Sequence, residues 1–221
     1  MFKDSKDFAT SIIVQSIFFD YFYVMNETAT DLERHPWPPF IPQDAQILIM
    51  GTFPPGQHRW SMPFFYPNPI NDFWRVMGII YFNDKDSLYI PHLKTFDLDK
   101  IKKLLVSRHI AMGDTGLEVK RLKGNAADKF LEIVTPIPLR ETLERMPRCH
   151  TLATTGEKAA EVIARITGTE VPKTGLFVET DFAGHHLRIY RMPSTSRAYP
   201  LPLAKKAEIY RKMLEETGLC D

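Results

Sequence analysis

Two short segments of the chain hold residue types that suit a flat, hydrogen-bonding ligand. The first runs from Gly51 to Trp74 and contains a double proline at 54–55 and an aromatic triplet, Phe-Phe-Tyr, at 64–66. Three consecutive aromatic side chains cannot all face one core, so we expect at least one to offer a surface on which a nucleobase could stack. Asn68 and Asn71 add amides that can donate and accept hydrogen bonds or hold a water molecule. A proline-rich loop whose aromatics only plug the domain is the alternative interpretation.

The second segment is 192–200, which reads Met-Pro-Ser-Thr-Ser-Arg-Ala-Tyr-Pro. Small hydroxyl residues beside a proline can approach a DNA backbone closely and donate hydrogen bonds to its phosphates. The neighbouring Arg197 or Tyr199 could enter the gap that an extruded base leaves behind. A serine- and threonine-rich cap for the helix that follows is the alternative interpretation.

Strand and helix patterns alternate along the chain around these segments. Apolar runs that stop at or near a glycine or a proline predict four strands, at 45–50, 109–112, 151–154 and 187–192. Helical spacing of apolar residues predicts helices that start near Asn71, pass through 159–163 and cover 203–214. On the last helix the basic residues expected to face outward are Lys205, Lys206, Arg211 and Lys212.

This order of elements predicts an α/β fold. It should be a three-layer α/β/α arrangement with a central, mostly parallel four-stranded sheet and helices on both faces. In such folds the ligand site lies at the carboxyl ends of the parallel strands. The loops expected to carry function are therefore those that start at Gly51, Gly113, Gly156 and Pro193.

The domain organisation is predicted from the apolar and proline-rich stretches near the N-terminus. Residues 1–35 are expected to be an N-terminal helical arm or extension, and residues 36–221 the main domain. The apolar run 12–25 is interrupted by polar residues and too short to span a bilayer, so an amphipathic helix is expected. A start at Met25 is the alternative. The proline-rich stretch 36–43 can be neither helix nor central strand.

Bulk composition limits the classes of partner and cofactor. The formal net charge is +1, so contact with DNA would have to come from a local arrangement of donors rather than a basic surface. The chain has two cysteines, Cys149 and Cys220, and no CxxC or Cys/His ligand spacing. We therefore expect no metal or other cofactor, a cytoplasmic location and a monomer.

Taken together and in this order, the two segments resemble the signature pair of the uracil-DNA glycosylase superfamily. Its members open with a Gly-x-x-Pro loop after the first strand and close with a short Pro-Ser loop after the last. The stretch from Phe65 to Trp74 resembles most closely the hypoxanthine-DNA glycosylase branch, with its Tyr-Tyr-x-x-Pro-x-Asn-x-Phe-Trp segment and final Pro-Ser-Thr-Ser. The run 192–196 also resembles the Met-Pro-Ser-Ser-Ser form of the mismatch-specific branch.

The resemblance implies a monofunctional DNA glycosylase of base excision repair. Such an enzyme flips a damaged, deaminated base such as hypoxanthine or uracil out of DNA and hydrolyses its N-glycosidic bond. The implied partner is DNA with a damaged or mismatched base. A non-catalytic nucleic-acid or nucleotide-binding member of the same fold is the alternative. An unrelated nucleoside or phosphoester hydrolase would need a metal or a nucleophile elbow, which the sequence lacks.

The resemblance also implies residue roles. The uracil-specific branch uses an aspartate and a histidine where this chain has Phe53 and Met192, neither of which can replace them. The hypoxanthine-type pattern instead assigns catalysis to the asparagine before x-Phe-Trp, which is Asn71. Phe65, or failing it Phe64 or Tyr66, would stack on the flipped base. The implied base-binding residues are Phe53, Phe65, Tyr66, Asn68 and Asp114. The implied DNA-binding residues are Pro54, Pro55, Gly56, Pro193, Ser194, Thr195, Ser196 and Arg197.

Overall fold

The computed structural model describes residues 32–122 and 130–220. A compact unit spans Arg34–Asp221. The expected N-terminal arm lies almost entirely outside the described residues, as does the amphipathic helix expected over 12–25. Both stay predictions.

Short strands and helices alternate along the described residues. In chain order the strands are β1 (Leu32–Arg34), β2 (Ile47–Gly51), β3 (Tyr89–Ile90), β4 (Thr95–Phe96), β5 (Ile110–Asp114), β6 (Gly116–Arg121), β7 (Leu131–Pro136), β8 (Thr151–Thr155), β9 (Phe177–Phe182) and β10 (His185–Met192). The helices are α1 (Phe73–Phe82), α2 (Leu98–Ser107), α3 (Leu139–Glu144), α4 (Glu157–Thr167) and α5 (Leu203–Glu216). Single 3-10 turns lie at Gln57–Arg59 and Pro91–Leu93.

The central sheet has the order β5-β2-β8-β10-β9. The first four strands run parallel, as predicted, and β9 is an added antiparallel edge strand. Ala183 and Gly184 join β9 to β10 with positive φ at both positions, which is the geometry of a two-residue hairpin turn. The predicted α/β fold is confirmed, with five strands in this sheet rather than four.

Side chains of β2 alternate between two hydrophobic clusters on opposite faces of the sheet. Ile47 and Ile49 pack into a cluster with residues of α1, α2 and α5. Leu48 and Met50 pack into a second cluster with residues of α3 and α4. Successive side chains of a strand point to opposite faces, so helices cover both sides and the molecule has three layers.

The parallel register brings the carboxyl ends of four strands to one edge of the sheet. Gly51 at the end of β2 pairs with Asp114 at the end of β5. Met192 at the end of β10 pairs with Thr155 at the end of β8. The loops that leave these ends therefore start close together, as the sequence predicts for the functional loops.

Residues outside the central sheet shape one side of this edge. β6 begins at Gly116, two residues beyond the end of β5, and pairs antiparallel with β7. The stretch 36–43 contains no helix or strand apart from a single bridge between Phe40 and Met112.

Within the described part of the chain, no helix is long and apolar enough to cross a membrane.

Candidate active site

A cavity of about 460 Å³ opens at the carboxyl edge of the sheet, between the loops after β2 and β10. Both segments singled out from the sequence contribute to its wall. The lining residues are Gly51, Thr52, Phe53, Pro54, Pro55, Arg59, Tyr66, Pro67, Asn68, Ile70, Asn71, Asp114, Thr155, Ser194, Thr195, Ser196, Arg197 and Ala198.

Asn71 lines this cavity just before α1. Its Oδ1 accepts a hydrogen bond from the backbone N–H of Phe73 at 2.9 Å, within the first turn of α1. That bond orients the amide, because only the oxygen can accept from an N–H. The Nδ2 group is left as a donor, and Oδ1 keeps a second lone pair. Asn71 thus serves the helix start and also offers an amide to a ligand.

Tyr66 and Phe53 are the aromatic side chains that line the cavity. The Tyr66 ring stacks on Phe73 with centroids 3.9 Å apart, and its hydroxyl shares a 2.6 Å hydrogen bond with the Thr155 hydroxyl. The backbone of Tyr66 has φ 52°, a left-handed conformation that is uncommon for a residue with a side chain. The guanidinium of Arg121 lies over the Phe53 ring at 5.6 Å. Both rings are held in defined orientations.

Phe65, the first choice for stacking on a base, does not reach the cavity. Its side chain is 1% exposed and belongs to the hydrophobic core, where the ring packs on Phe64 and Trp37. Phe64 is likewise buried. This part of the prediction is corrected, because the first two rings of the aromatic triplet fill the core. Of the three, only Tyr66 faces the cavity, since its backbone adopts the left-handed conformation.

Asp114 ends β5 with its carboxyl group in the cavity wall, and its side chain is 8% exposed. Its Oδ2 lies 2.9 Å from Nε2 of His35. Its Oδ1 lies against Gly51: a Cβ added at Gly51 would stand 2.6 Å from it and 3.2 Å from the Tyr66 hydroxyl oxygen. Burial raises the pKa of the Asp114 carboxyl, while hydrogen bonds from His35 and the Gly51 backbone oppose that rise.

The loop after β10 is fastened to the start of α1. The backbone N–H of Asp72 donates to the Thr195 carbonyl at 2.9 Å. Asp72 Oδ2 accepts from Lys206 Nζ at 2.9 Å, and the same ammonium donates to the Ser196 carbonyl at 2.9 Å. Arg197 Nε lies 3.3 Å from the other carboxylate oxygen of Asp72. One carboxylate and one ammonium therefore tie both sequence segments together.

Lys206 corrects a sequence expectation. The helical pattern of α5 places it on the outward face with the other basic residues, but its side chain is 1% exposed and points at Asp72. A buried ammonium is tolerated there because Asp72 and the Ser196 carbonyl replace its water.

Most of the expected DNA-binding residues line the cavity. Gly56 and Pro193 do not. Gly56 starts the 3-10 turn at Gln57–Arg59. Pro193 is buried, and its carbonyl accepts a hydrogen bond from the Tyr210 hydroxyl at 2.9 Å. These two residues hold the loops rather than form the wall. Met192, at the position of the histidine in the uracil-specific branch, is fully buried in the core.

Sequence reasoning missed His35 and Thr155. His35 precedes a proline- and tryptophan-rich stretch that reads as a lead-in, and its partner Asp114 is 79 positions away. Thr155 ends β8, and the rule that ligands bind at carboxyl ends could have singled it out. Among residues 32–122 and 130–220, no group of three or more His, Cys, Asp or Glu side chains comes together as a metal site would need.

Comparisons with known proteins found similarity in part of the sequence and in the fold. No protein-family model matches the chain. Hypoxanthine DNA glycosylase of Methanosarcina barkeri (strain Fusaro / DSM 804) is 34% identical over 71 residues, which are 32% of this chain and 44% of that protein. The match thus spans less than half the length of that relative.

A solved structure has the same fold. The solution NMR structure of a protein provisionally named a uracil DNA glycosylase, from Methanosarcina acetivorans, superposes with a TM-score of 0.55 at 22% identity. It covers 82% of this chain and 98% of that one. At that identity the likeness speaks for the fold alone. This chain therefore has the fold of that solved structure, and one stretch of it is similar in sequence to a hypoxanthine DNA glycosylase.

Proposed function

We propose that this protein is a monofunctional DNA glycosylase of base excision repair. It would draw a deaminated base such as hypoxanthine or uracil out of DNA into the cavity and hydrolyse the N-glycosidic bond. The observation that carries this proposal is the convergence of the Asn71 amide, the Tyr66 and Phe53 rings and the Asp114 carboxyl in one cavity.

The chemistry requires stabilisation of two opposite charges. As the glycosidic bond breaks, positive charge develops on the sugar and negative charge on the departing base. Asn71 can hold the attacking water through the second lone pair of Oδ1, or donate from Nδ2 to the departing base. Because its bond to Phe73 fixes the amide beforehand, little reorganisation is needed during the reaction.

Base binding would use the rest of the wall. Phe53 and Tyr66 would contact the faces of the extruded base, and Asp114 would read its edge. The loop residues Ser194 and Ser196 would approach phosphates. The contact between Asp72 and Lys206 supports these roles, because it holds the loop after β10 beside Asn71.

The described residues that line the cavity include no lysine, which favours a monofunctional enzyme. Strand cleavage by a bifunctional glycosylase needs an amine nucleophile that forms a Schiff base. Among the described residues that line the cavity, the basic ones are Arg59 and Arg197, and none is a lysine. We expect no borohydride-trapped protein–DNA adduct. A monomer in the cytoplasm is part of the same proposal.

The test is a panel of duplexes that each carry one lesion: hypoxanthine, uracil, xanthine or a mismatched thymine. Alkali reveals each abasic site that the protein makes. Release from at least one lesion, strongly reduced in Asn71→Ala and retained in the control Gln43→Ala, supports the proposal. Gln43 carries the same kind of amide in an exposed loop before β2, away from the cavity. Binding to these duplexes without release from any of them would favour the non-catalytic alternative.

A further inference from the structure

His35 reaches the cavity wall from the segment that precedes the main sheet. Its Nδ1 lies 2.6 Å from the Trp37 carbonyl oxygen, and its Nε2 lies 2.9 Å from Asp114 Oδ2. A carbonyl can only accept, so Nδ1 carries a hydrogen. The Trp37 backbone N–H lies at 3.4 Å from the same nitrogen, a longer contact that cannot compete with the carbonyl. The ring is thereby oriented with Nε2 toward the carboxyl group.

Aromatic packing holds that orientation. The His35 ring stacks on Phe65 with centroids 5.8 Å apart and meets Phe53 edge to face at 5.4 Å. Its side chain is 5% exposed. With Nδ1 fixed, one hydrogen remains to be shared between Nε2 and Asp114 Oδ2. Either the imidazolium donates to a carboxylate, or a neutral carboxylic acid donates to the imidazole.

In both arrangements, Asp114 presents to the cavity a carboxyl oxygen that carries no hydrogen. In each of them Oδ2 is engaged with His35, so the oxygen on the Gly51 side, Oδ1, carries no hydrogen and can only accept. Loss of His35 would remove a hydrogen bond and a charge that oppose the effect of burial, which shifts the Asp114 carboxyl toward its protonated form, whose O–H could rotate toward a ligand. His35 therefore favours the state in which Asp114 accepts a hydrogen bond.

We propose that His35 is a specificity-determining positioning residue, which fixes Asp114 as an acceptor and so selects bases whose ring nitrogen carries a hydrogen. This inference rests on the proposed function, because it requires an extruded base in the cavity. Hypoxanthine N1, xanthine N1 and uracil N3 carry a hydrogen that Oδ1 can accept. Adenine N1 and cytosine N3 present lone pairs instead, and two facing acceptors leave both without a partner. Deamination of adenine to hypoxanthine and of cytosine to uracil makes this change in the base, whereas guanine already carries a hydrogen at N1 before it becomes xanthine.

Two cations close to His35, Arg34 beside it in the chain and Arg121 over the Phe53 ring, have partners of their own. Arg34 pairs with Glu118 at 3.0 Å, and Arg121 donates to the Pro54 carbonyl at 2.7 Å. The Tyr66 hydroxyl faces Asp114 from across Gly51 and is hydrogen-bonded to Thr155. His35 is the ionisable group whose hydrogen bond and charge act on the Asp114 carboxyl, where they oppose the effect of burial on its pKa.

The experiment measures binding separately from catalysis. Two duplexes carry 2′-fluoro-2′-deoxyinosine or 2′-fluoro-2′-deoxyadenosine opposite thymine, since the fluorine destabilises the sugar cation and blocks base release. Affinities are measured for wild type, His35→Phe, His35→Gln and the control His186→Phe. Phenylalanine keeps the ring packing and removes the hydrogen bond. His186 pairs with Asp181 at 2.9 Å on the exposed β9–β10 hairpin, outside both segments that form the cavity.

We expect the wild-type preference for the inosine duplex to fall by about tenfold or more in His35→Phe, the scale of one hydrogen bond to a charged group. His35→Gln should keep part of the preference, because its amide can donate to Oδ2. In His35→Phe the preference should return as the pH rises through the pKa of Asp114, when the carboxylate forms. His186→Phe should match wild type.

Two outcomes would overturn the inference, and a third would separate it from the catalytic proposal. If His35→Phe melts at a lower temperature but keeps the wild-type preference and pH profile, His35 is only structural. If wild type does not prefer the inosine duplex, Asp114 is not an acceptor for the base. Loss of preference in His35→Phe, with no base released from any cleavable duplex by wild type, would support the inference and reject the catalytic proposal.

Discussion

At the scale of single residues, the proposed mechanism and the start of α1 both depend on the amide of Asn71. We predict that Asn71→Ala lowers base release by roughly 10²–10³-fold, the scale of one preorganised donor. It should also destabilise the fold by about 1 kcal/mol, because the bond to the Phe73 N–H is lost. Single-turnover rates on the best lesion and melting temperatures separate the two effects.

Asn71→Asp separates the two chemical roles of the amide. Its carboxylate keeps the bond to the Phe73 N–H and can still hold water, but it has no donor. Partial activity at wild-type stability would therefore assign Asn71 to the water. A rate as low as that of Asn71→Ala would assign it to the departing base. Wild-type rates in Asn71→Ala would instead remove Asn71 from the mechanism and leave Asn68 or Asp114 as the group that holds water.

Gly51 is the residue whose missing side chain makes room for the cavity wall. A Cβ there would stand 2.6 Å from Asp114 Oδ1, closer than any ordinary contact. We predict that Gly51→Ala displaces the carboxyl or Tyr66 and lowers base release by roughly 10²-fold. The control is Gly113→Ala, whose Cβ would meet its nearest neighbour at 3.5 Å, an ordinary contact. Equal rates in the two variants would show that the position of Asp114 does not matter.

At the scale of elements, α5 is joined to the start of α1 through Lys206 and Asp72. We predict that Lys206→Met destabilises the protein by about 3 kcal/mol, because it leaves a buried carboxylate whose remaining charged partner among the described residues is the exposed Arg197. Base release should fall as well, since Asp72 follows Asn71 directly. Urea denaturation gives the stability.

Lys205 provides the matched control for this prediction. It is the preceding residue of α5, it is exposed, and it pairs with Glu208 at 2.7 Å. Surface pairs of this kind contribute about 0–1 kcal/mol, so Lys205→Met should change stability little. If both substitutions lower the free energy of unfolding by similar amounts, the buried contact contributes no more to stability than the surface pair does.

The same scale shows what sequence patterns can and cannot predict. The four parallel strands are predictable to within two residues of their ends, because each is a short apolar run that stops at or near a glycine or proline. β9 escapes prediction because it is an edge strand whose side chains are only partly covered. Lys206 is misplaced because helical periodicity reports polarity and not the presence of a buried partner from another element.

The residues of the candidate site likewise fall into those that sequence patterns predict and those that they do not. Asn71, Asp114 and the loop after β10 follow from motif spacing and strand ends, and they line the cavity. Phe65 is misassigned because an aromatic triplet does not reveal which ring turns outward. That depends on the left-handed backbone of Tyr66. His35 has no local signal at all, since its role depends on a contact across 79 positions.

At the scale of the whole molecule, a net charge of +1 leaves little general attraction for DNA. Association should therefore depend on the few cationic side chains at the cavity, which are Arg59 and Arg197 among the described lining residues. Each neutralised phosphate contributes about −0.9 to the slope of log K against log salt concentration, so a slope of about −1 is expected if Arg59 alone contacts a phosphate, and at most about −2 if Arg197 does so as well. A much steeper slope would indicate a wider basic surface.

Arg197 and Arg59 should differ in what they do for a duplex. The Arg197 side chain is 52% exposed and is held by Asp72 at 3.3 Å beside the cavity, in the loop where a side chain could fill the gap left by an extruded base. We predict that Arg197→Ala weakens base release from duplex DNA more than from single strands, because only the duplex must be held open. Arg59→Ala should weaken both substrates equally and reduce the salt slope by about 1, as loss of a phosphate contact does. Release rates on matched duplex and single-stranded substrates check both variants.

Equal losses on the two substrates in Arg197→Ala would make Arg197 a phosphate contact, like Arg59. The exposed Ile70 at the rim of the same cavity would then be the next candidate to fill the gap.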